Sequence, residues 1–162
     1  MRKSIGEEKD NLVSFKTRKK KVFDYACELG RMITQIILEN YDYELTKERD
    51  TKAYRDKGER ETSIKTVYGE VTYSRRVYRT EQEDGRIAYI YLLDQAMQME
   101  KIRLISTNLA EKIALTVTEA LYRGSADVIS GTCGQSISHG EIWNLIQQLG
   151  ERISEEEDYA VK

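Results

Sequence analysis

The amino-acid sequence predicts an α+β fold: a long N-terminal helix, a small antiparallel β-hairpin or three-stranded sheet, and a C-terminal helix-turn-helix-like three-helix unit. Three observations carry this. Apolar residues recur at three- and four-residue steps over 18–45, alternate with polar ones over 62–79, and return to helical spacing after residue 106. The corresponding segments are 1–61 (helix and charged linker), 62–94 (hairpin or small sheet) and 95–162 (helical domain).

In the first element Val22, Tyr25/Ala26, Leu29, Met32/Ile33, Ile36/Ile37 and Tyr41 fall on one helical face, after a basic run from Lys16 to Lys21. That stripe suits either a helix packed on the rest of the chain or a coiled-coil-like seam joining two copies, so a homodimer through 18–45 is an expected partner. Residues 46–61 are almost all charged or polar and read as a frayed helical extension or a linker.

Over 62–79, Val71, Tyr73 and Val77 share one face and Thr72, Ser74, Arg76 and Tyr78 the other, in residue types that suit strands. Tyr68-Gly69 supplies the tight turn, because glycine takes a positive φ without steric cost. The run Ile87 to Leu93 follows a second turn signal, Glu83-Asp84-Gly85, and is expected to add a third strand. From Lys52 to Arg79 eight Lys/Arg face four carboxylates, with Tyr54, Tyr68, Tyr73 and Tyr78 interleaved. The net charge of −2 therefore hides a basic middle, suited to a phosphate backbone, and an acidic end over 151–162.

Ser106 or Asn108 opens the next helix, whose stripe is Leu109, Ile113, Val117 and Leu121, with Gly124 as its breaker. A short helix from Ser125 to Ser130 is expected to turn Ala126, Val128 and Ile129 inward, and Gly131 to Gly134 to form the turn. Ser138 and Glu141 make a capping box for a last helix that buries Ile142, Leu145, Ile146, Leu149 and Ile153. Two helices, a glycine-rich turn and a capped third helix are the layout of a helix-turn-helix, whose last helix enters the DNA major groove. Its outward residues include His139, Asn144, Gln147 and Gln148, with Ser136 and Ser138 at its positive end. Amides can read adenine and hydroxyls can hold phosphate. The candidate DNA-binding residues are thus Ser136, Ser138, His139, Asn144, Gln147 and Arg123, together with Lys65, Arg75, Arg76 and Arg79 of the hairpin.

Other chemistries find little footing. One histidine and two distant cysteines, Cys27 and Cys133, build no zinc site and suit a reduced compartment. Gly131 to Gly134 lacks the spacing and lysine of a phosphate loop, and no nucleophile stands by a base. No apolar run approaches the roughly 20 residues that cross a membrane. The expectations are no catalytic residue, no metal and no cofactor in this chain, double-stranded DNA as partner, no membrane, and a cytoplasmic, nucleoid-associated location.

The runs ETSIKTVYGEVTYSRRVYR, YIYLLDQAMQMEKIRLISTNLAEKI and GQSISHGEIWNLIQQLGER resemble the N-terminal half of the ISLre-two family of insertion-sequence transposases. The resemblance extends over roughly 28–158. It implies the N-terminal DNA-binding region of a bacterial DDE-type transposase, recognising the terminal inverted repeats of its element. It also implies an RNase-H-like catalytic domain, with three carboxylates on two divalent metals, of which no residue is matched here. By itself the chain is then not an enzyme. The alternatives are a helical oligomerisation module without DNA contact and a small DNA-binding regulator.

Overall fold

The computed structural model describes residues 5–97, 101–102 and 104–160. It is an α+β fold, and its first helix exceeds the expected 18–45: α1 spans Ile5–Glu48 without a break. With no proline and one glycine between residues 7 and 57, Gly30, nothing interrupts its backbone ladder. At about 1.5 Å per residue it is roughly 66 Å long. Among its described side chains, the buried ones lie in its second half. Cys27 and Leu38 are buried, whereas every side chain from 14 to 26 is exposed.

The stripe read as a possible packing face is not one: Val22, Tyr25, Leu29, Met32, Ile33, Ile36, Ile37 and Tyr41 all lie exposed. Contact with the sheet is made from the other side of the helix, through Gly30, Thr34, Leu38, Asp42 and Thr46. Gly30 fits because the Tyr68 ring lies against it; a Cβ there would come within 2.5 Å of Tyr68 Cγ.

The expected linker 46–61 ends α1, turns, and from Arg55 onward is strand. After a turn in which Asp50 Oδ1 accepts the Lys52 N–H (2.8 Å), β1 runs Arg55–Thr66 and β2 runs Gly69–Glu81. Their antiparallel register pairs Thr66 with Gly69, so the two-residue turn is Val67-Tyr68, one position before the expected Tyr68-Gly69, and Gly69, with φ 122°, opens β2. Charged residues can form this strand because its first seven positions bury nothing. The strand β3, Ile87–Ile90, is shorter than expected: Leu92 and Leu93 belong to a short helix, α2, Leu92–Ala96, which plugs Leu93 into the core.

Two further short strands, β4 (Lys101–Ile102) and β5 (Ile105–Ser106), complete a five-stranded sheet in the order β3-β2-β1-β5-β4. The expected three-stranded antiparallel sheet is therefore larger and mixed, since β5 pairs parallel to β1 at Lys65. Val71, Tyr73 and Val77 are buried as their alternation implies. Tyr78 departs from it. It is fully buried because Thr46 of α1 bonds its hydroxyl (2.8 Å) and Arg49 lies over its ring.

Beyond Tyr78, β3 covers the outer edge of β2; before it, α1 does. Glu39 accepts the Ser74 N–H (3.2 Å) and Asp42 accepts the Arg76 N–H (3.1 Å). These carboxylates satisfy strand-edge donors that would otherwise stand free. Burial pushes the Asp42 carboxyl above its ordinary range, against the pull of Arg76.

Three helices close the chain: α3 (Thr107–Glu119), α4 (Tyr122–Thr132) and α5 (His139–Ala160). Ser106 rather than Asn108 occupies the N-cap of α3. The break falls at Ala120–Leu121, so Gly124 lies inside α4 and Leu121 is exposed instead of buried. Val128 is also exposed, while Ala126 and Ile129 turn inward. Gly131 and Thr132 still belong to α4, and the connection to α5 starts at Cys133. The helical core gathers Leu109, Ile113, Ile129, Ile137, Ile142 and Leu145, with Ile146 and Leu149 packed partly buried against it. The expected burial of Ile153 falls outside the described side chains. A separate apolar cluster, including Leu38, Ile64, Val71, Tyr73 and Leu93, sits between α1, α2 and the sheet. The hairpin tip joins the two, as Val67 and Ile105 pack on the helical core and the Gly134 N–H bonds the Val67 carbonyl (2.8 Å).

Candidate nucleic-acid interface

The start of α5 is built by the capping box. Ser138 Oγ accepts the Glu141 N–H (3.2 Å), and Glu141 Oε2 accepts the Ser138 N–H (2.9 Å). The other Glu141 oxygen takes Lys65 of β1, which ties the helix to the hairpin. Lys65, and then the Ser138 N–H, hold the Glu141 carboxyl below its ordinary range. With Ile142 and Leu145 fixed inward, positions 139, 143, 144 and 147 must point out, at the i, i+4, i+5 and i+8 spacings of one helical surface. His139, Asn144 and Gln147 are exposed there, joined by Ser136 and Ser138 before the helix. Trp143, half-exposed, lies on the same surface. Arg123 is exposed on α4. Gln148, also expected outward, is half-buried in a groove of about 200 Å³ beside Lys65, Leu104 and Leu145.

The hairpin cations are disposed differently from the expectation that all four face a ligand. Lys65 is paired with Glu141. Arg75 is paired with Asp94 and stacks on the Tyr91 ring, 3.8 Å from its centroid. Arg76 reaches both Asp56 (2.8 Å) and Glu59 (2.9 Å). The Gly58 N–H and Arg76 lower the Asp56 carboxyl, while Asp56 and Glu59 raise the Arg76 guanidinium. These three arginine and lysine side chains therefore brace the sheet.

Arg79 is in another setting. It stands directly opposite Arg55 across the strand pair, where like charges repel. Lys52 joins them around a cleft of about 230 Å³, lined also by Thr80 and Glu81. Among the described residues no salt bridge neutralises Lys52, Arg55 or Arg79. Lys52 and Arg55 were not among the candidates, because a strand taken to begin at residue 62 has no position opposite Arg79. Carrying the register back from Thr66–Gly69 finds Arg55 there. The cleft and the α5 start lie at opposite ends of β1, about 33 Å apart at 3.3 Å per residue from Arg55 to Lys65.

Among the described residues no group of His, Cys, Asp and Glu could hold a metal ion, and no helix is long and apolar enough to cross a membrane. A family model matches residues 8–161, spanning α1, the sheet and the three closing helices. The chain belongs to UPF0236, an uncharacterised protein family. A UPF0236 protein encoded in the vanSb 3′ region of Streptococcus gallolyticus is 25% identical over 120 residues. Those residues are 74% of this chain and 26% of that relative, so the chain spans about a quarter of its length. No solved structure matches this UPF0236 chain.

Proposed function

We propose that this chain is the DNA-binding region of a bacterial DDE-type insertion-sequence transposase of the ISLre-two kind, and that it recognises the terminal inverted repeats of its element. The observation that carries the reading is the polar outer surface at the start of α5, held rigid by the capping box and by Lys65. Asn144 and Gln147 read base edges from the major groove; Ser136, Ser138 and His139 take phosphate at the positive helix end; Arg123 adds a backbone contact. The second grip is the Lys52–Arg55–Arg79 cleft. Its distance of about 33 Å from α5 is close to one turn of duplex, roughly 34–36 Å. Cutting and joining, with their two divalent metals, belong to a catalytic domain elsewhere in the full-length protein. In support, the relative is about four times longer than the matched segment. The exposed stripe of α1 favours a second element of the same reading, a homodimer through that helix.

The test is electrophoretic mobility shift with duplexes from the element ends and with scrambled duplexes. Asn144→Ala with Gln147→Ala lowers affinity for the ends alone, by about 1–3 kcal/mol per lost base contact. Arg55→Ala with Arg79→Ala weakens both duplexes and flattens the log K against log salt slope by about 2. Equal affinity of the wild-type chain for both duplexes refutes end recognition.

A further inference from the structure

Every side chain of α1 from residue 14 to residue 26 is exposed, yet this is not a polar helix. Phe15, Val22, Leu29, Ile36 and Tyr43 recur every seven residues, each between 54 and 69% exposed. Tyr25, Met32 and Ile33 fill the positions between them and are also exposed. At 3.6 residues per turn this stripe lies on the opposite side of the helix from Cys27, Leu38 and Asp42, which meet the body of the protein. The eight side chains expose on the order of 1,000 Å² of apolar surface over about 42 Å of helix, against about 800 Å² for one side of a stable interface. A seven-residue apolar repeat is the pattern by which one helix seats on another of the same period.

Charge says which helix, and in which direction. Residues 16–21, KTRKKK, hold five cations and no carboxylate. Of the four carboxylates in residues 39–48, ENYDYELTKE, Glu39 and Asp42 bond the sheet, while Glu44 and Glu48 are exposed. Two copies side by side in parallel would set Arg18, Lys19 and Lys21 against themselves, well within a Debye length of about 8 Å. Two copies in opposite directions part the basic runs and set each beside the exposed Glu44 and Glu48 of its partner. The same arrangement lays the arm 14–26, bare in one copy, along residues 36–48 of the other, where Ile36, Tyr41 and Tyr43 are exposed.

We propose that two copies of this chain pair antiparallel along α1, with the twofold axis near residue 31 and the two sheets on opposite faces of the helix pair. This rests on the reading of α1 as a homodimer helix and makes no use of DNA binding.

Sedimentation equilibrium of the whole 162-residue chain without DNA is the first test. The expected mass is twice the 18.8 kDa of one chain, falling to one chain in Leu29→Lys/Ile36→Lys with unchanged helical circular dichroism, since both side chains are exposed. Direction is read by oxidative cross-linking of single-cysteine additions. Val22→Cys mixed with Asn40→Cys or with Tyr43→Cys gives a covalent dimer, whereas Val22→Cys by itself gives none. A monomeric wild-type chain at ~100 µM, far above the micromolar Kd expected of such a seam, overturns the pairing. A dimer in which Val22→Cys cross-links to itself, or in which neither mixture cross-links, overturns the antiparallel direction. Each result leaves the mobility-shift outcome independent, so the two readings fail separately.

Discussion

Two glycines three residues apart, Gly131 and Gly134, should respond to alanine in opposite directions. At Gly134 a Cβ would run into the Tyr68 carbonyl group and come within 2.9 Å of Cys27 Sγ. The Tyr68 carbonyl is backbone in a two-residue hairpin turn, and Cys27 is buried, so neither can step aside. Overpacking of that kind costs about 1–3 kcal/mol. Moving Gly134 away also strains its N–H bond to Val67, whose loss adds about 0.5–1.5 kcal/mol. Gly134→Ala is therefore destabilised by about 2–4 kcal/mol, and the urea midpoint falls by roughly 1–2 M for a slope of about 2 kcal/mol/M. At Gly131 an added Cβ meets nothing within 4 Å, and the residue is helical, so alanine gains up to about 1 kcal/mol of propensity. Urea unfolding followed at 222 nm measures both. A Gly134→Ala midpoint within 0.3 M of wild type, or a Gly131→Ala loss as large as that of Gly134→Ala, refutes the close approach of α1, the hairpin tip and the α4–α5 connection.

Glu141→Gln removes a carboxylate whose folded pKa lies below its ordinary 4.5, through Lys65 first and the Ser138 N–H second. The stability it contributes is complete above about pH 5 and is lost as pH falls through the folded value, so wild type and variant should differ at pH 7 and converge toward pH 3 in paired denaturation curves; a gap that widens on acidification is inconsistent with this sign. Ile113→Ala empties a fully buried position and should cost about 2–5 kcal/mol, whereas Leu121→Ala, on the same sequence stripe but exposed, should stay within about 0.5 kcal/mol by the same unfolding measurement.

What was legible in the sequence is what is local. The Tyr68-Gly69 turn, the Ser138–Glu141 capping box and the alternation through Val71, Tyr73 and Val77 depend on residues within a few positions of one another. The capping box and the alternation appear where they were expected, and the turn one position earlier, at Val67-Tyr68. The misses are nonlocal. Nothing near Lys65 or Arg75 in sequence announces Glu141 or Asp94 as partners, so basic residues that brace the sheet look identical to basic residues waiting for phosphate. Likewise, the period of α1 tells that it has an apolar stripe, while the carboxylates Glu39 and Asp42 decide which side meets the sheet. The strand start at Arg55 escaped because exposed strand positions carry no hydrophobic period.

The two carboxylates of α1 on the edge of β2 also bear on how the polypeptide survives in a crowded cell. While Glu39 and Asp42 occupy the Ser74 and Arg76 amides, β2 offers no template to a strand from another molecule. Strip α1 away, by proteolysis or by a deletion that begins at the hairpin, and that edge is bared beside Val71, Tyr73 and Val77, a β-prone stretch suited to runaway strand addition. The sheet-facing side of α1 thus guards the ribbon that follows it. Truncated versions should precipitate even though their sheet sequence is untouched.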